Sequence, residues 1–463
     1  MATQARALEN NLSVGSVPKR LISFALPFLL SNIIQSLYNV ADMLIVGNFS
    51  GELSVYAMSG VNIGGQITFV LTNLTIGLCT GATVLISQFI GKDDRTSLKN
   101  VTSTIITMLL AFAAVVTVVT LFTIDPILHL VKTPAESYEQ TRAYLKVTLF
   151  GIVFIFGYNA FAAILRGMGD SKHPLWFVAA AGSMNIILDY VLVKSLGMAA
   201  YGAALATVIS QAVSMILCII FMKRNNFQFD FKVKSFKIDK EQFRLILKIG
   251  LPSMIQNGVV SMSFMFLTSI VNTVGGVAAS AAHGAVGKFN SFVFMPTAAI
   301  SGAVSTMSAQ NIGAGRMDRA VQSAKIGALM SMVISYTFFT LVMIFPDAVI
   351  KIFNRDAETV AAGVAYIRAF SYDLLLIPII FNINGFLLAG GHAMFSMAVG
   401  LTSSVILRIP ASYLLAVSSG LGMRGVGFGA PIASAGALTI ILCYLATGRW
   451  KKNVVGDNII IPE

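Results

Sequence analysis

Charged side chains are scarce in this chain. Asp, Glu, Lys and Arg make up 11% of its 463 residues, where soluble proteins carry roughly 25%. Together with 56% hydrophobic residues and a mean hydropathy of +0.80, that scarcity excludes an ordinary soluble globular protein. Cysteine is almost as rare. Cys79, Cys218 and Cys443 all fall in apolar runs, without metal-ligand spacing or a disulfide partner, so they read as small packing residues. Of the four histidines, His129, His173 and His392 fall in loops and His283 in an apolar run; all four read as incidental. No nucleophile–base pair, metal cluster, nucleotide loop or Walker-type sequence is present, which argues against an enzyme and against ATP as an energy source. The first twenty residues are polar and lack an apolar core, so no cleaved signal peptide is expected and the first apolar span is the targeting element.

What the chain does have is long apolar runs. They exceed the roughly 20 residues needed to cross a hydrocarbon core of about 30 Å, and twelve such spans can be placed between residues 21 and 447. If both termini are cytoplasmic, 22 of the 32 Lys and Arg lie on the cytoplasmic side, eight outside, and two, Lys288 and Arg408, within spans. Loop Lys and Arg resist translocation, so the net charge of +12 is a topology signal and no nucleic-acid partner is expected. The expectation is a multi-pass monomer in the cell's inner (plasma) membrane, with the lipid bilayer as its surroundings and both termini cytoplasmic.

The chain is also written twice. Gln88 to Gly91 reads QFIG and Gln310 to Gly313 reads QNIG, 222 positions later. The same offset carries Leu165–Gly169 onto Leu387–Gly391, and an offset of 225 carries Leu26-Pro27 onto Leu251-Pro252 and Gly197-Met198 onto Gly422-Met423. Six spans per copy is an even number, so both copies run in one direction, as in parallel-repeat transporters. The expected fold class is an all-α membrane protein of twelve transmembrane helices in two six-helix lobes. Its parts are a cytoplasmic segment 1–20, a first lobe 21–222, a linker 223–243, a second lobe 244–447 and a cytoplasmic tail 448–463. The linker is basic and studded with phenylalanine, readable either as an amphipathic segment on anionic headgroups or as a solvated connector.

Three of the twenty acidic residues fall inside spans: Asp42, Asp189 and Asp373. A carboxylate at mid-membrane costs about 2.5–3.5 kcal/mol on insertion scales and marks functional sites; it can take up and release protons or hold a small cation. Asn185 and Asp189 are four apart and share a helix face. Gln35, Tyr38, Asn39 and Asp42 form one polar stripe on the first span, Thr207 and Gln211 repeat the spacing on the sixth, and Asn159 adds an amide on the fourth. Carboxylate, amide and hydroxyl oxygens suit Na⁺ or H⁺ and offer nothing to a transition metal. Asn39, Thr207 and Gln211 are equally readable as interhelical hydrogen bonds. In the second copy the buried charges are Lys288, Asp373 and Arg408, either a structural ion pair or a positive surface for substrates or headgroups.

The segments LYNVADMLIVG (37–47), GATVLISQFIGKDD (81–94), LRGMGDSKHP (165–174), NIILDYVLV (185–193), GAALATVISQ (202–211), SAQNIGAG (308–315) and RIPASY (408–413), in this order and on a six-plus-six duplication, resemble the multidrug and toxic compound extrusion (MATE) family. The resemblance covers the chain from about Val17 to Gly448 and is nearest the family's DNA-damage-inducible F branch. It implies two lobes in a V around a central cavity of alternating access, with a cation-coupling site on Asp42, Asn185, Asp189 and Thr207. It further implies that Gln35 and Asn159 line the first lobe's cavity, and that Pro27 bends the first helix. The NorM-type branch carries an acid on the seventh helix; here that span, LPSMIQNGVVSMSFMFLTSIV, has none, and Asp373 lies about a turn from the tenth-helix acid. A second-lobe cation site is therefore not expected. The function this implies is H⁺- or Na⁺-driven efflux of amphipathic, cationic organic compounds, with no cofactor beyond the coupling ion. The alternatives are a flippase of a lipid-linked precursor from the same superfamily and a passive channel.

Overall fold

Hydrocarbon offers no hydrogen bonds to a polypeptide, so an apolar chain must satisfy its backbone internally, in helices or a closed barrel. This chain chooses helices. A computed structural model describes residues 10–453 other than 226 and 228, and no strand occurs among the described residues. The first copy contains α1 (Val17–Phe49), α2 (Ser54–Lys92), α3 (Arg95–Leu130), α4 (Tyr138–Phe150), α5 (Ile152–Gly167), α6 (Lys172–Asp189) and α7 (Ala199–Arg224). The second contains α8 (Lys240–Gly313), α9 (Met317–Ile344), α10 (Ala357–Phe370), α11 (Ile377–Ala389), α12 (Ala393–Leu401), α13 (Ile409–Tyr413) and α14 (Met423–Ala446).

Among the described residues nine helices are long and apolar enough to cross a bilayer. The α4–α5 and α10–α11 pairs each make one more span, bent by 51° and 44°. The longest helix, α8, is two spans joined where Gly275 and Gly276 leave helical geometry, Gly276 at φ 55° and ψ −138°. Twelve spans result, as the apolar runs predict. Local chemistry sets several ends. Asp94 caps α3 by accepting from Ser97 N at 3.0 Å, and Asp356 caps α10 by accepting from Thr359 N at 2.9 Å, each satisfying an amide that the first helical turn leaves unpaired. Helix α1 runs unbroken through Pro27, whose carbonyl accepts from Ser31 Oγ at 2.9 Å.

The duplication extends to the irregularities. The two bent pairs begin at Ala135 and Ala357, 222 residues apart. A π-helical stretch, Tyr190–Ser195, continues α6; the matching span of the second copy carries two, Thr402–Arg408 and Leu414–Ser418. Such stretches are rare and gather at functional sites. Gly151 marks the first bend, where a Cβ would run into the Val208 side chain.

The chain divides into two compact units. One holds Leu26–Ile90 and Asp94–Leu247; the other holds Leu12–Ala25, Gly91–Asp93 and the described residues from Lys248 to Asn453. This differs from a boundary in the linker alone, because the start of α1 belongs with the second unit. Leu12 N donates to Gln310 Oε1 at 2.8 Å, while Arg316 Nη1 and Arg319 Nη2 donate to the carbonyls of Ser13 and Gly15 at 2.9 and 2.6 Å. The linker is neither a solvated connector nor a headgroup-facing strip throughout. Phe229 is 1% exposed and packs edge-on against Phe231 and Phe236, and Phe231 lies 5.9 Å from the ring of Phe161. Ser103 Oγ bonds the carbonyls of Ser235 and Lys237 at 2.6 and 2.8 Å. The phenylalanines of the linker therefore anchor it to the first unit. The terminal stretches 1–9 and 454–463 of the expected cytoplasmic segments lie outside the described residues.

The break in α8 needs a residue without a Cβ. Gly276→Ala is expected to cost about 1–3 kcal/mol, the penalty for forcing a side chain into sparsely populated backbone space. Thermal unfolding in detergent should show a lowered midpoint for this variant and none for Gly284→Ala, whose added methyl meets open space within the same helix.

Candidate functional site

In the first unit, α1, α2, α4, α5 and α7 surround a cavity of about 320 Å³. Six of the residues selected by spacing line it: Gln35, Asn39 and Asp42 from α1, Asn159 from α5, and Thr207 and Gln211 from α7. The polar stripe of α1 faces inward because its other faces are apolar and meet lipid or helix, leaving the protein interior as the place where amides and a carboxyl can be partnered. Asn159 Nδ2 donates back to Ile155 O at 2.8 Å, which leaves its carbonyl oxygen as the group available for a ligand.

Three of the selected residues stand in the wall rather than on its surface. Tyr38 is buried, accepts from Gln211 Nε2 at 3.3 Å, and fits because Gly182 has no Cβ to meet its ring. Asn185 and Asp189 are 1% and 0% exposed. Asp189 closes α6 where the π-helical stretch begins, and its carboxyl faces that of Asp42 within hydrogen-bonding reach. Asp42 thus stands between the cavity and the deeper Asp189.

No cationic side chain pairs with either acid among the described residues. Both carboxylate oxygens of Asp189, Oδ1 of Asp42, and both amide atoms of Asn185 are buried without a protein hydrogen-bond partner. Burying one such group costs about 1–3 kcal/mol, and two carboxylates in contact repel unless they share a proton or a cation. The donor set, all oxygen apart from one amide nitrogen, fits a proton or a hard monovalent cation. Among the described residues no group of three or more His, Cys, Asp or Glu is placed to hold a metal ion.

A family model described as MatE matches residues 27–191 and 252–414, one match on each copy of the repeat. The chain belongs to the MatE family. Similar proteins include YoeA of Bacillus subtilis, described as a probable multidrug resistance protein, 31% identical with 95% of this chain and 96% of that one covered. Another is NorM of Thermotoga maritima, also described as a probable multidrug resistance protein, at 27% identity with 96% and 95% covered. Among solved structures, a MATE protein in the bent conformation superimposes with a TM-score of 0.89 at 22% identity, covering 95% of this chain and 97% of that one. The fold is that of a MATE transporter, and the protein is a multi-pass membrane transporter.

This MatE protein corrects one expectation about its second copy. Lys288, expected to be buried, is exposed on α8, because it lies on a face of that helix that no neighbouring helix covers. Asp373 is 3% exposed and Arg408 half-buried, yet the three form no ion pair among the described residues. Arg408 turns its guanidinium onto the Phe264 ring, 4.8 Å from the centroid. Both Arg408 and Asp373 instead line a cavity of about 310 Å³ in the second unit.

Sequence reasoning also missed a third of the first cavity's wall. Asn62, Gln66, Thr68 and Thr72 of α2, with Tyr144 of α4, line it as well. Their signal was present as polar residues at helical spacing in an otherwise apolar span, and Gln66 Nε2 does bond Asn62 Oδ1 at 3.2 Å. Tyr144 closes in because Gly64 leaves room for its ring.

The facing carboxyls predict strong coupling. In a double-mutant cycle of Asp42→Asn and Asp189→Asn, unfolding free energies in detergent should be non-additive by about 0.5–3 kcal/mol. Additive values within about 0.3 kcal/mol would mean that the two groups do not interact.

Proposed function

We propose that this MATE transporter is a secondary active multidrug exporter that exchanges inward H⁺ or Na⁺ for outward movement of amphipathic, cationic organic compounds. The observation carrying the reading is the Asp42–Asp189 pair, facing each other without a cationic side chain, one member on the wall of a cavity. With the pair ionised, the cavity offers negative charge and polar oxygens to a cationic drug. With a proton or Na⁺ held by Asp42, Asp189, Asn185 and Thr207, that charge is neutralised and the drug's hold weakens. Drug and coupling ion then compete through a coupling free energy, and linkage makes the effect reciprocal. Similar proteins named as multidrug resistance and multidrug export proteins support multidrug export as the activity. The protein works as a monomer in the inner (plasma) membrane with both termini cytoplasmic, the orientation that the Lys and Arg distribution favours.

The test is efflux of a cationic dye from proteoliposomes under an imposed pH or Na⁺ gradient. Wild type should move dye with the gradient. Asp42→Asn and Asp189→Asn should each lose about 5–150-fold of the gradient-driven rate, the span of ordinary allosteric couplings. Undiminished gradient-driven efflux in both variants would remove the proposed coupling site. Dye movement that follows only its own gradient in wild type would make the protein a passive channel.

A further inference from the structure

The second unit contains a cavity of its own, and no coupling role is assigned to it. It is walled by π-helical backbone, since Ser403, Ser404 and Arg408 all belong to the Thr402–Arg408 stretch. Its apolar lining combines four rings, Phe264, Phe294, Phe370 and Phe381, with aliphatic side chains such as Ile377 and Ile380. Two opposite charges face into it, Asp373 from the turn between α10 and α11 and Arg408 from the π-helical stretch.

Opposite charges in a poorly hydrated cavity gain most by pairing with each other. These two do not. No N–O distance between them falls within 4.0 Å among the described residues, because Arg408 is held elsewhere. Its guanidinium lies over Phe264 at 4.8 Å and near Phe370 at 6.0 Å, with the Tyr366 hydroxyl in hydrogen-bonding reach. Stacking of this kind fixes a guanidinium's plane while leaving its edge N–H groups free to donate. Asp373 meets the Ser434 hydroxyl, while its Oδ1 is buried without a hydrogen-bond partner. Asn384 Oδ1, on the same wall, is also buried and unpartnered. The cavity therefore presents a fixed cation, a fixed acid and a spare acceptor, separated by aromatic faces.

A ligand with one charge satisfies half of this arrangement and leaves the other half buried unpaired. A ligand with both charges, separated by a flat apolar body, satisfies all of it. We propose that the second-unit cavity is a binding site for compact aromatic zwitterions, the carboxylate seated on Arg408 and the ammonium on Asp373 and Asn384, with the ring against the phenylalanines. The volume of about 310 Å³ is at the lower end of the roughly 300–1,000 Å³ of ligand pockets, which favours a single ring system. The proposal does not require the exchange mechanism above.

The test is calorimetric titration of the purified full-length protein in detergent with three probes built on one benzene ring: aminomethylbenzoate, benzylamine and benzoate. Aminomethylbenzoate should bind at least about tenfold more tightly than either singly charged probe, a difference of about 1.4 kcal/mol. Arg408→Gln should weaken aminomethylbenzoate and benzoate about tenfold and leave benzylamine unchanged; Asp373→Asn should weaken aminomethylbenzoate and benzylamine and spare benzoate. Arg408→Lys keeps the charge but loses the planar fork, and should fall between wild type and Arg408→Gln, which guards against reading misfolding as lost binding. Asp42→Asn should bind aminomethylbenzoate like wild type, so failure of the first-unit coupling site and failure of this site give different results. Equal affinity for all three probes, no detectable binding at millimolar concentration, or an aminomethylbenzoate affinity unmoved by Arg408→Gln would overturn the proposal.

Discussion

The Asp42 and Asp189 carboxyls face each other inside a helical bundle with no cationic side chain on either of them. Two facing carboxylates repel, and at 7% exposure for Asp42 and 0% for Asp189 little water screens them, so the bare doubly charged state is disfavoured on its own terms. Much of the first unit is arranged around that difficulty. The stripe of Gln35, Tyr38 and Asn39 brings polar groups to the same helix face. Gly182 and Gly64 bring the rings of Tyr38 and Tyr144 in close. The π-helical stretch after Asp189 begins at the point where the acid must point inward. A proton or small cation between the carboxyls relieves the repulsion, and nothing supplied by the protein's own side chains does.

The second unit shows what the repeat keeps and what it lets go. Bent spans recur 222 residues apart, and the spans that follow them are both interrupted by π-helical stretches. Such departures from regular helix are tolerated at membrane depth only where protein or a cavity satisfies the freed backbone; in the second unit, Ser403, Ser404 and Arg408 of one such stretch line the cavity itself. Side-chain charge does not recur in this way. Where the first unit sets acid against acid, the second sets Arg408 across a cavity from Asp373. Each unit has a cavity of its own, and the side chains give the two cavities different charges.

The fold was legible in the sequence because membrane insertion imposes length and hydropathy on every span. Twelve apolar runs, the 6+6 repeat and the acids at Asp42 and Asp189 could all be read without coordinates. What could not be read was any contact that depends on which helix face meets which neighbour. The linker's Phe229 looks like an exposed aromatic among lysines and is buried at 1%. Lys288 looks buried because its span is apolar, yet it sits on a face no helix covers. The start of α1 belongs with the second unit through Leu12, Ser13 and Gly15, bonds made largely by backbone groups and therefore silent in the sequence. The polar face of α2 was legible in principle, at helical spacing from Asn62 to Thr72, but amides and hydroxyls in membrane helices serve as interhelical bonds so often that spacing alone does not separate lining from packing.

The two cavities pose opposite electrostatic problems. In the first, like charges are forced together and a positive ion is what resolves them. In the second, unlike charges are held apart by stacking on Phe264, and a molecule carrying both charges is what resolves them. In each case the protein stops short of neutralising itself, leaving Asp189 Oδ1 and Oδ2 in one unit and Asp373 Oδ1 in the other without partners. A group left without a partner carries the full cost of its burial, which a ligand that pairs with it relieves. The unpartnered atoms are thus the parts of each unit from which a ligand has most to gain, and they lie on carboxyls and on the amides of Asn185 and Asn384 rather than on the aromatic walls. It follows that discrimination in both units rests on charge placement, with the apolar lining setting size and shape around it.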